Sequence, residues 1–409
     1  MKLTVVWHKP FWSSPHSPTG FASRGCLGHP GFGGLPRQVE ALSELFDATR
    51  IVGPCSRTND QSGETAIAGN NVSVVALTWL PRSPWVTWLV LPFWLARNGL
   101  KLTQEISSAD AVFPFIPSPI GIIGLVLTLI FRKSLLTRQL NNWSESRLLW
   151  RLERALLERI AGGKNVVFAT GISEEPPSTR NHAIRWIFST TVSERELAAN
   201  AVPRSPARAP HARLIIVGRE AETKETLVVL RALPLLACEF PNVTLDVVGD
   251  FAVLSQLEHV AKDLKVVDRV TFHGSPNHQR VIELLRQADL FCCLPAAETE
   301  SFRQAVHEAL ACGLPVVTAR TSIAPMLMRN GCGIILQEGT SEALAAAVTA
   351  CLSDPERYRN MSIEALRTAR AYSLEQWREI VRSALEKAWG PLQSDQWELR
   401  KRQEEVRLR

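Results

Sequence analysis

Eight cysteines are scattered through 409 residues, and no two of them form a CxxC pair or keep the spacing with histidine that metal ligands keep. That pattern argues against a zinc module or a disulfide scaffold. The thiols are expected to be reduced and mostly packed, Cys292 and Cys293 as small apolar residues of the strand-like "ADLFCCLP", which points to the cytoplasm. Long apolar runs are lacking too. "WVTWLVLPFWLA" (Trp85–Ala96) and "PSPIGIIGLVLTLIF" (Pro117–Phe131) fall short of the roughly 20 apolar residues that cross a bilayer. The opening "MKLTVVWHKPFW" is too briefly apolar for a secretory signal and reads as a first strand. There is no internal repeat, and no basic helix or aromatic RNA-binding strand pattern, so nucleic acid is not an expected partner.

What is present is ordinary globular composition, 45% hydrophobic and 21% charged, over a length that suits two domains. The net charge of +6 is uneven: residues 1–210 hold 22 Lys+Arg against 14 Asp+Glu (+8), and residues 211–409 hold 24 against 26 (−2). A basic first half suits an anionic partner such as a phosphorylated substrate or a lipid surface.

The second half alternates plainly. "RLIIVG", "VTLDVVGD", "RVTFHG", "DLFCCLP" and "LPVVTA" read as strands, separated by helical stretches such as "KETLVVLRALPLLACEF" and "RQAVHEALAC". Short apolar strands divided by helices imply a parallel, doubly wound sheet, because parallel strands need crossover helices on both faces. The first half repeats this less cleanly, with strands "LTVVWH", "ATRIVGP", "VSVVAL", "AVFPFIP", "SLLTRQL" and "NVVFATG". Between them "AVPRSPARAPHAR" (Ala201–Arg213) reads as a linker. The expectation is two α/β Rossmann-like domains, 1–205 and 206–390, facing a cleft, and a charged tail over 391–409.

Chemistry concentrates in "ETESFRQAVHEALACGLPVV" (Glu298–Val317). Glu300 is expected at the carboxyl end of the preceding strand and Glu308 two turns into the next helix, about 12 Å further along its axis at 1.5 Å per residue. Such carboxylates can grip two ends of one extended ligand, while the backbone N–H groups of Ser301, Phe302, Arg303 and Gln304 offer a helix N-terminus to an anion or hydroxyl. Two helix-face glutamates are also a common structural feature. Upstream, "VGREAETK" sets Gly218 and Arg219 at a strand end and Lys224 at the next helix start, cations suited to a diphosphate. In the first half, Gly33 and Gly34 of "HPGFGGLPRQVEALSEL" open a helix, where glycine lets backbone approach a phosphate or sugar.

These segments, in this order over 213–390, resemble retaining glycosyltransferases of family 4 with the GT-B fold (glycosyl transferases group 1). The resemblance implies an enzyme that moves a sugar from a nucleoside diphosphate sugar to an acceptor hydroxyl with retention. The first domain would bind the acceptor and the second the donor. On that likeness Glu300 looks like the residue touching the donor sugar, Glu308 the one binding ribose, and Arg219 with Lys224 the diphosphate pair. Gly33, Gly34, Gly218, Ser301, Phe302 and Arg303 look like further donor contacts, and Asn141 and Asn142 of "RQLNNW" like acceptor contacts. Two departures stand out. Glu225 follows Lys224 where the family usually has glycine, and "TARTSIAP" lacks a common glycine pair. No DxD cluster occurs, so neither a metal nor another cofactor is expected, and His307 is read as a packed residue, not a base. The apolar and basic residues Trp85, Trp88, Phe93, Trp94, Arg82, Arg97, Arg132 and Lys133 suggest a peripheral contact with an anionic inner membrane face. The similarity of "PSPIGIIGLVLTLIFRKSLLTRQLNNW" and "LLWRLERALLERIAGGKNVVFATG" to family members that build cell-surface polysaccharides on lipid-linked acceptors implies a lipid-linked saccharide acceptor and cell-surface polysaccharide synthesis. The alternatives are a sugar-nucleotide epimerase of the same fold and a non-catalytic sugar-nucleotide-binding protein.

Overall fold

Lys2–Val6 (β1), buried from Leu3 onward, lies inside a sheet. The structure is a computed structural model that describes all residues except 9–10, 15–16, 25–33, 57–63, 70, 82–83, 141–142, 144–147, 200–201, 207–209, 219–222, 250–253, 275, 295–303, 322 and 393–409. Contacts divide the chain into two compact units. The first holds Met1–Arg24 and Leu35–Phe188, together with the chain from Trp377; the second holds Ser189–Gln376. The chain passes from one to the other ahead of the proline-rich stretch, and His211–Arg213, the end of the expected linker, already belong to a strand in register with Asn242–Thr244.

In the first unit β1 is followed by β2 (Phe11–Ser13), β3 (Phe21–Arg24), α1 (Gly34–Ser43), β4 (Ala48–Pro54), β5 (Glu64–Ala66) and β6 (Val72–Leu77). Then come α2 (Pro84–Ser107), β7 (Ala111–Ile116), α3 (Pro119–Ile130), β8 (Ser134–Gln139), α4 (Leu148–Ile160), β9 (Asn165–Thr170) and β10 (Arg185–Ile187). Seven strands form one parallel sheet in the order β10-β9-β8-β7-β1-β4-β6, while β2, β3 and β5 make a small antiparallel sheet that the sequence reading did not anticipate. Buried runs such as AVFPFI of β7 are apolar throughout because helices cover both faces.

The second unit runs α5 (Glu194–Ala199), β11 (His211–Val217), α6 (Thr223–Leu236), β12 (Asn242–Val248), α7 (Leu254–Asp263), β13 (Val270–Phe272), α8 (His278–Gln287), β14 (Leu290–Cys293) and α9 (Gln304–Ala311). It continues through β15 (Val316–Ala319), α10 (Ala324–Leu327), β16 (Gly333–Leu336), α11 (Ser341–Leu352) and α12 (Pro355–Arg370); α13 (Leu374–Trp389) follows. Its six parallel strands are ordered β13-β12-β11-β14-β15-β16. Counted within the unit this is 3-2-1-4-5-6, the Rossmann order. Leu214, Ile216, Leu245, Val247, Leu290 and Val317 build the core beneath α6 and α11. Each such buried aliphatic side chain contributes about 1.5–3 kcal/mol of transfer free energy.

The "ACGLPVV" break in the motif is a helix stop. Gly313 has φ +65°, its N–H donates to Leu310 O at 2.9 Å, and Leu314 N–H donates to Ala309 O at 3.0 Å, so the last carbonyls of α9 are satisfied by a glycine in the left-handed region. Pro315 then prevents the helix from resuming, and the chain enters β15.

Candidate functional site

Ligands of open parallel sheets sit outside the carboxyl ends of the strands where the strand order reverses. In the second unit that point lies between β11 and β14, which pair in parallel with Leu214 opposite Leu290 and Ile215 opposite Phe291. The first segment leaving this edge starts at Gly218, which is buried and whose N–H donates to Val248 O at 2.9 Å, tying the ends of β11 and β12 together. Lys224 follows as the second residue of α6 and is exposed. A cation in a first turn faces the positive end of the helix dipole, an unfavourable place unless an anion joins it. The neighbouring Glu225 offsets part of that cost.

The second segment is α9, which follows β14. All seven residues from Ala305 to Ala311 are buried, so Glu308 is no part of a solvated face; its own exposure is 1%. A carboxylate that far from water has to be held by donors. Thr191 Oγ1 donates to Glu308 Oε1 at 3.0 Å, and His278 Nδ1 lies 3.6 Å from the same oxygen. His278 is delivered there as the first residue of α8, whose N-cap Asn277 accepts from Arg280 N–H at 2.9 Å. Neither Thr191 nor His278 figures in the sequence reading. Their separations in sequence from Glu308 follow no helix or strand period, and only the tertiary fold brings them to it.

The segment that opens the second unit holds this helix at three successive residues. Ser189 Oγ accepts from Gln304 Nε2 at 2.6 Å, Thr190 Oγ1 lies 3.3 Å from His307 Nδ1, and Thr191 meets Glu308. A cavity of about 300 Å³ opens beside them, lined among others by Val192, Glu196, His278, Arg286 and Cys312.

His307 is fully packed. Its Nε2 is 2.9 Å from Ala369 O, so Nε2 carries the hydrogen and donates, and Nδ1 is left to accept from Thr190. Burial pulls the imidazole down to about 4, outweighing the opposing effect of the Ala369 carbonyl. It is a neutral structural group at physiological pH, unsuited to act as a base there. The folded value lies below the ordinary 6.5, so the unfolded chain binds more protons between those two pH values. The stability from keeping His307 neutral is therefore complete above about pH 6.5 and is lost as pH falls through 4, a total of about 3 kcal/mol at 1.36 kcal/mol per pH unit. Denaturant midpoints from pH 7 to 4 are expected to fall more steeply for the wild type than for His307→Asn. Parallel profiles would remove His307 as the acid-labile group.

Five of the seven described cysteines are buried, and burial pushes Cys292 and Cys312 up to about 12. Those thiols are protonated and unreactive at neutral pH.

Of the sequence-predicted site, Gly218, Lys224 and Glu308 fall on the two segments leaving β11 and β14. Gly34 is the first residue of α1. Arg219, Glu300, Ser301, Phe302, Arg303, Gly33, Asn141 and Asn142 lie outside the described residues.

Residues 200–368 match the family model described as glycosyl transferases group 1. Over 177 residues the chain is 29% identical to the GDP-mannose-dependent alpha-(1-6)-phosphatidylinositol monomannoside mannosyltransferase of Mycolicibacterium smegmatis, covering 42% of this chain and 45% of that one. Over 246 residues it is 30% identical to D-inositol 3-phosphate glycosyltransferase of Mycolicibacterium gilvum, covering 50% and 54%. The chain thus spans about half the length of the curated relatives it matches. Among solved structures, HepE of Anabaena in complex with UDP and glucose superposes with a TM-score of 0.66 at 17% identity, over 95% of this chain and 100% of that one. That likeness takes in both parallel sheets and shows the fold.

Proposed function

From a GT-B fold whose residues 200–368 match the family model of glycosyl transferases group 1, we propose that this chain transfers a sugar from a nucleoside diphosphate sugar to an acceptor hydroxyl, with retention at the anomeric carbon, as a member of family 4. The observation that carries this reading is the buried carboxylate of Glu308 on the helix leaving β14, beside the strand from which Gly218 and Lys224 depart. Ribose hydroxyls are natural donors to such a carboxylate, and a diphosphate is a natural partner for the cations of the neighbouring segment. The UDP and glucose in HepE of Anabaena support a nucleotide-sugar donor.

In this mechanism the bond from the anomeric carbon to the diphosphate oxygen breaks as the acceptor oxygen bonds on the same face. The acceptor's proton passes to the departing diphosphate, so no protein nucleophile is needed. Lys224 and Arg219 stabilise the charge that grows on the phosphate oxygens, an effect that works on the transition state more than on the bound substrate. Glu300 holds donor-sugar hydroxyls, and Glu308 holds the ribose. The acceptor is a saccharide of a cell-surface polymer or glycoconjugate, bound by the first unit.

The test is a thermal-shift screen against nucleoside diphosphates and their sugars, followed by NMR of the product. A ligand at 100 times its Kd stabilises by about 2.7 kcal/mol, so the true donor is expected to raise Tm by several degrees. The product is expected to keep the donor's anomeric configuration. No stabilisation by any nucleoside diphosphate would sink the donor reading, an inverted product would sink retention, and stabilisation without turnover would reduce the chain to a binding protein.

A further inference from the structure

Helix α2 is apolar on the side that faces outward. Its inner stripe is Leu91, Trp94, Asn98, Leu102 and Ile106, all buried. Trp94 Nε1 donates to Thr78 O at 2.8 Å, Asn98 Nδ2 to Thr78 Oγ1 at 2.6 Å, and Thr78 N–H to Asn98 Oδ1 at 3.0 Å. These bonds fix which way the helix faces, and they take Trp94 out of the surface set expected from the sequence. The outer stripe is Val86, Leu89, Phe93, Arg97 and Leu100, spaced three, four, four and three residues apart as one helix face requires. Leu89 is 75% exposed, Phe93 80% and Leu100 73%. Helix α3 packs beside α2 and presents Val126 and Ile130, the latter 65% exposed, with Phe131 just past its end. From Pro119 to Phe131 it has no charged residue.

Isolated exposed leucines are common, but two neighbouring helices with apolar outer stripes are not. The charges around them are of one sign. Arg97 and Lys101 on α2 and Arg132 and Lys133 after α3 flank the apolar side chains, and neither 65–104 nor 111–144 contains an aspartate or glutamate. Among the described residues no helix is long and apolar enough to cross a membrane.

We infer that the outer face of α2 and α3 docks on the surface of an anionic phospholipid membrane. Leu89, Phe93 and Ile130 enter the boundary between headgroups and acyl chains, and Arg97, Lys101, Arg132 and Lys133 meet the phosphates. Charge complementarity selects this occupant. A two-fold contact between copies through the same face would set these cations against each other, since α3 has no carboxylate and the one on α2, Glu105, is already paired with Arg50 at 2.8 Å, whereas an anionic headgroup layer answers all of them. The inference stands apart from the donor reading, since none of these residues belongs to the second unit.

Flotation of the full chain with vesicles tests it. Wild-type protein is expected to float with phosphatidylglycerol-containing vesicles, not with pure phosphatidylcholine, and to be released by raised salt. Leu89→Ser with Phe93→Ser and Ile130→Ser is expected to bind at least about tenfold more weakly with Tm unchanged, because these side chains are exposed. Arg97→Gln with Lys133→Gln, which spares the apolar residues, is expected to bind several-fold more weakly at low salt. Wild-type protein that stays at the bottom with anionic vesicles would overturn the proposal, as would variants that float as well as wild type. A wild-type dimer in sedimentation that the triple variant turns into a monomer would assign the face to a second copy and overturn it too.

Discussion

Replacing Lys224 with alanine is expected to lower kcat by about 10² to 10³ while leaving Tm unchanged. The size follows from the proposed role. A preorganised charge at a developing anion is worth about 2.7–4 kcal/mol in the transition state, and its removal is seen in turnover more than in binding. The silence in Tm follows from position, for Lys224 is exposed in the first turn of α6, where its ammonium opposes the helix dipole and contributes nothing to packing. Lys224→Arg keeps the charge but spreads it over a planar fork, and is expected to recover part of the rate. Undiminished turnover of Lys224→Ala under saturating donor would show that the diphosphate is neutralised elsewhere. A fall in Tm alongside the fall in rate would mark Lys224 as structural.

The second large effect is expected at Glu308. Glu308→Gln keeps an oxygen to accept from Thr191 Oγ1, so the packing of α9 survives, but the full negative charge is lost. Hydrogen bonds to charged groups contribute about 1.5–3 kcal/mol, which sets the expected rise in donor KM at about 10- to 100-fold, with a smaller change in kcat. Glu308→Ala strips Thr191 of its acceptor as well and is expected to lower Tm. Steady-state kinetics against the donor checks both. Should Glu308→Gln leave donor KM where it was, the carboxylate serves the fold and the ribose lies elsewhere.

The sheets were legible in the sequence because their strands are short apolar runs with turn residues at both ends. "ATRIVGP" and "VSVVAL" coincide with β4 and β6, and the alternation of the second half gives β11 through β15 in order. The antiparallel β2, β3 and β5 escaped because strands of three or four residues are too short to show a period. The stretch Trp85–Ala96 reads as a mostly apolar run of twelve residues, yet α2 runs 24 residues, because its second half, from Arg97 on, is polar enough to look like a separate segment. At the site, Gly218 and Lys224 could be found because each stands next to a strand or helix end that punctuates the sequence, and Glu308, inside α9, because it follows Glu300 at the spacing of the family's glutamate pair. Thr191 and His278 could not, since their relation to Glu308 exists only once β14, α8 and the residues after Phe188 have packed together.

The grip of Ser189, Thr190 and Thr191 on α9 bears on how the second unit can be isolated. A fragment cut at the proline-rich stretch, the natural choice from composition, would discard all three hydroxyls. It would also lose the Val192 carbonyl that receives Leu374 N–H at 2.9 Å. Glu308 would then be a buried acid robbed of Thr191. Starting the fragment before Ser189 retains these tethers, so for recombinant work the functional edge of the unit is set by three side-chain oxygens, upstream of the prolines.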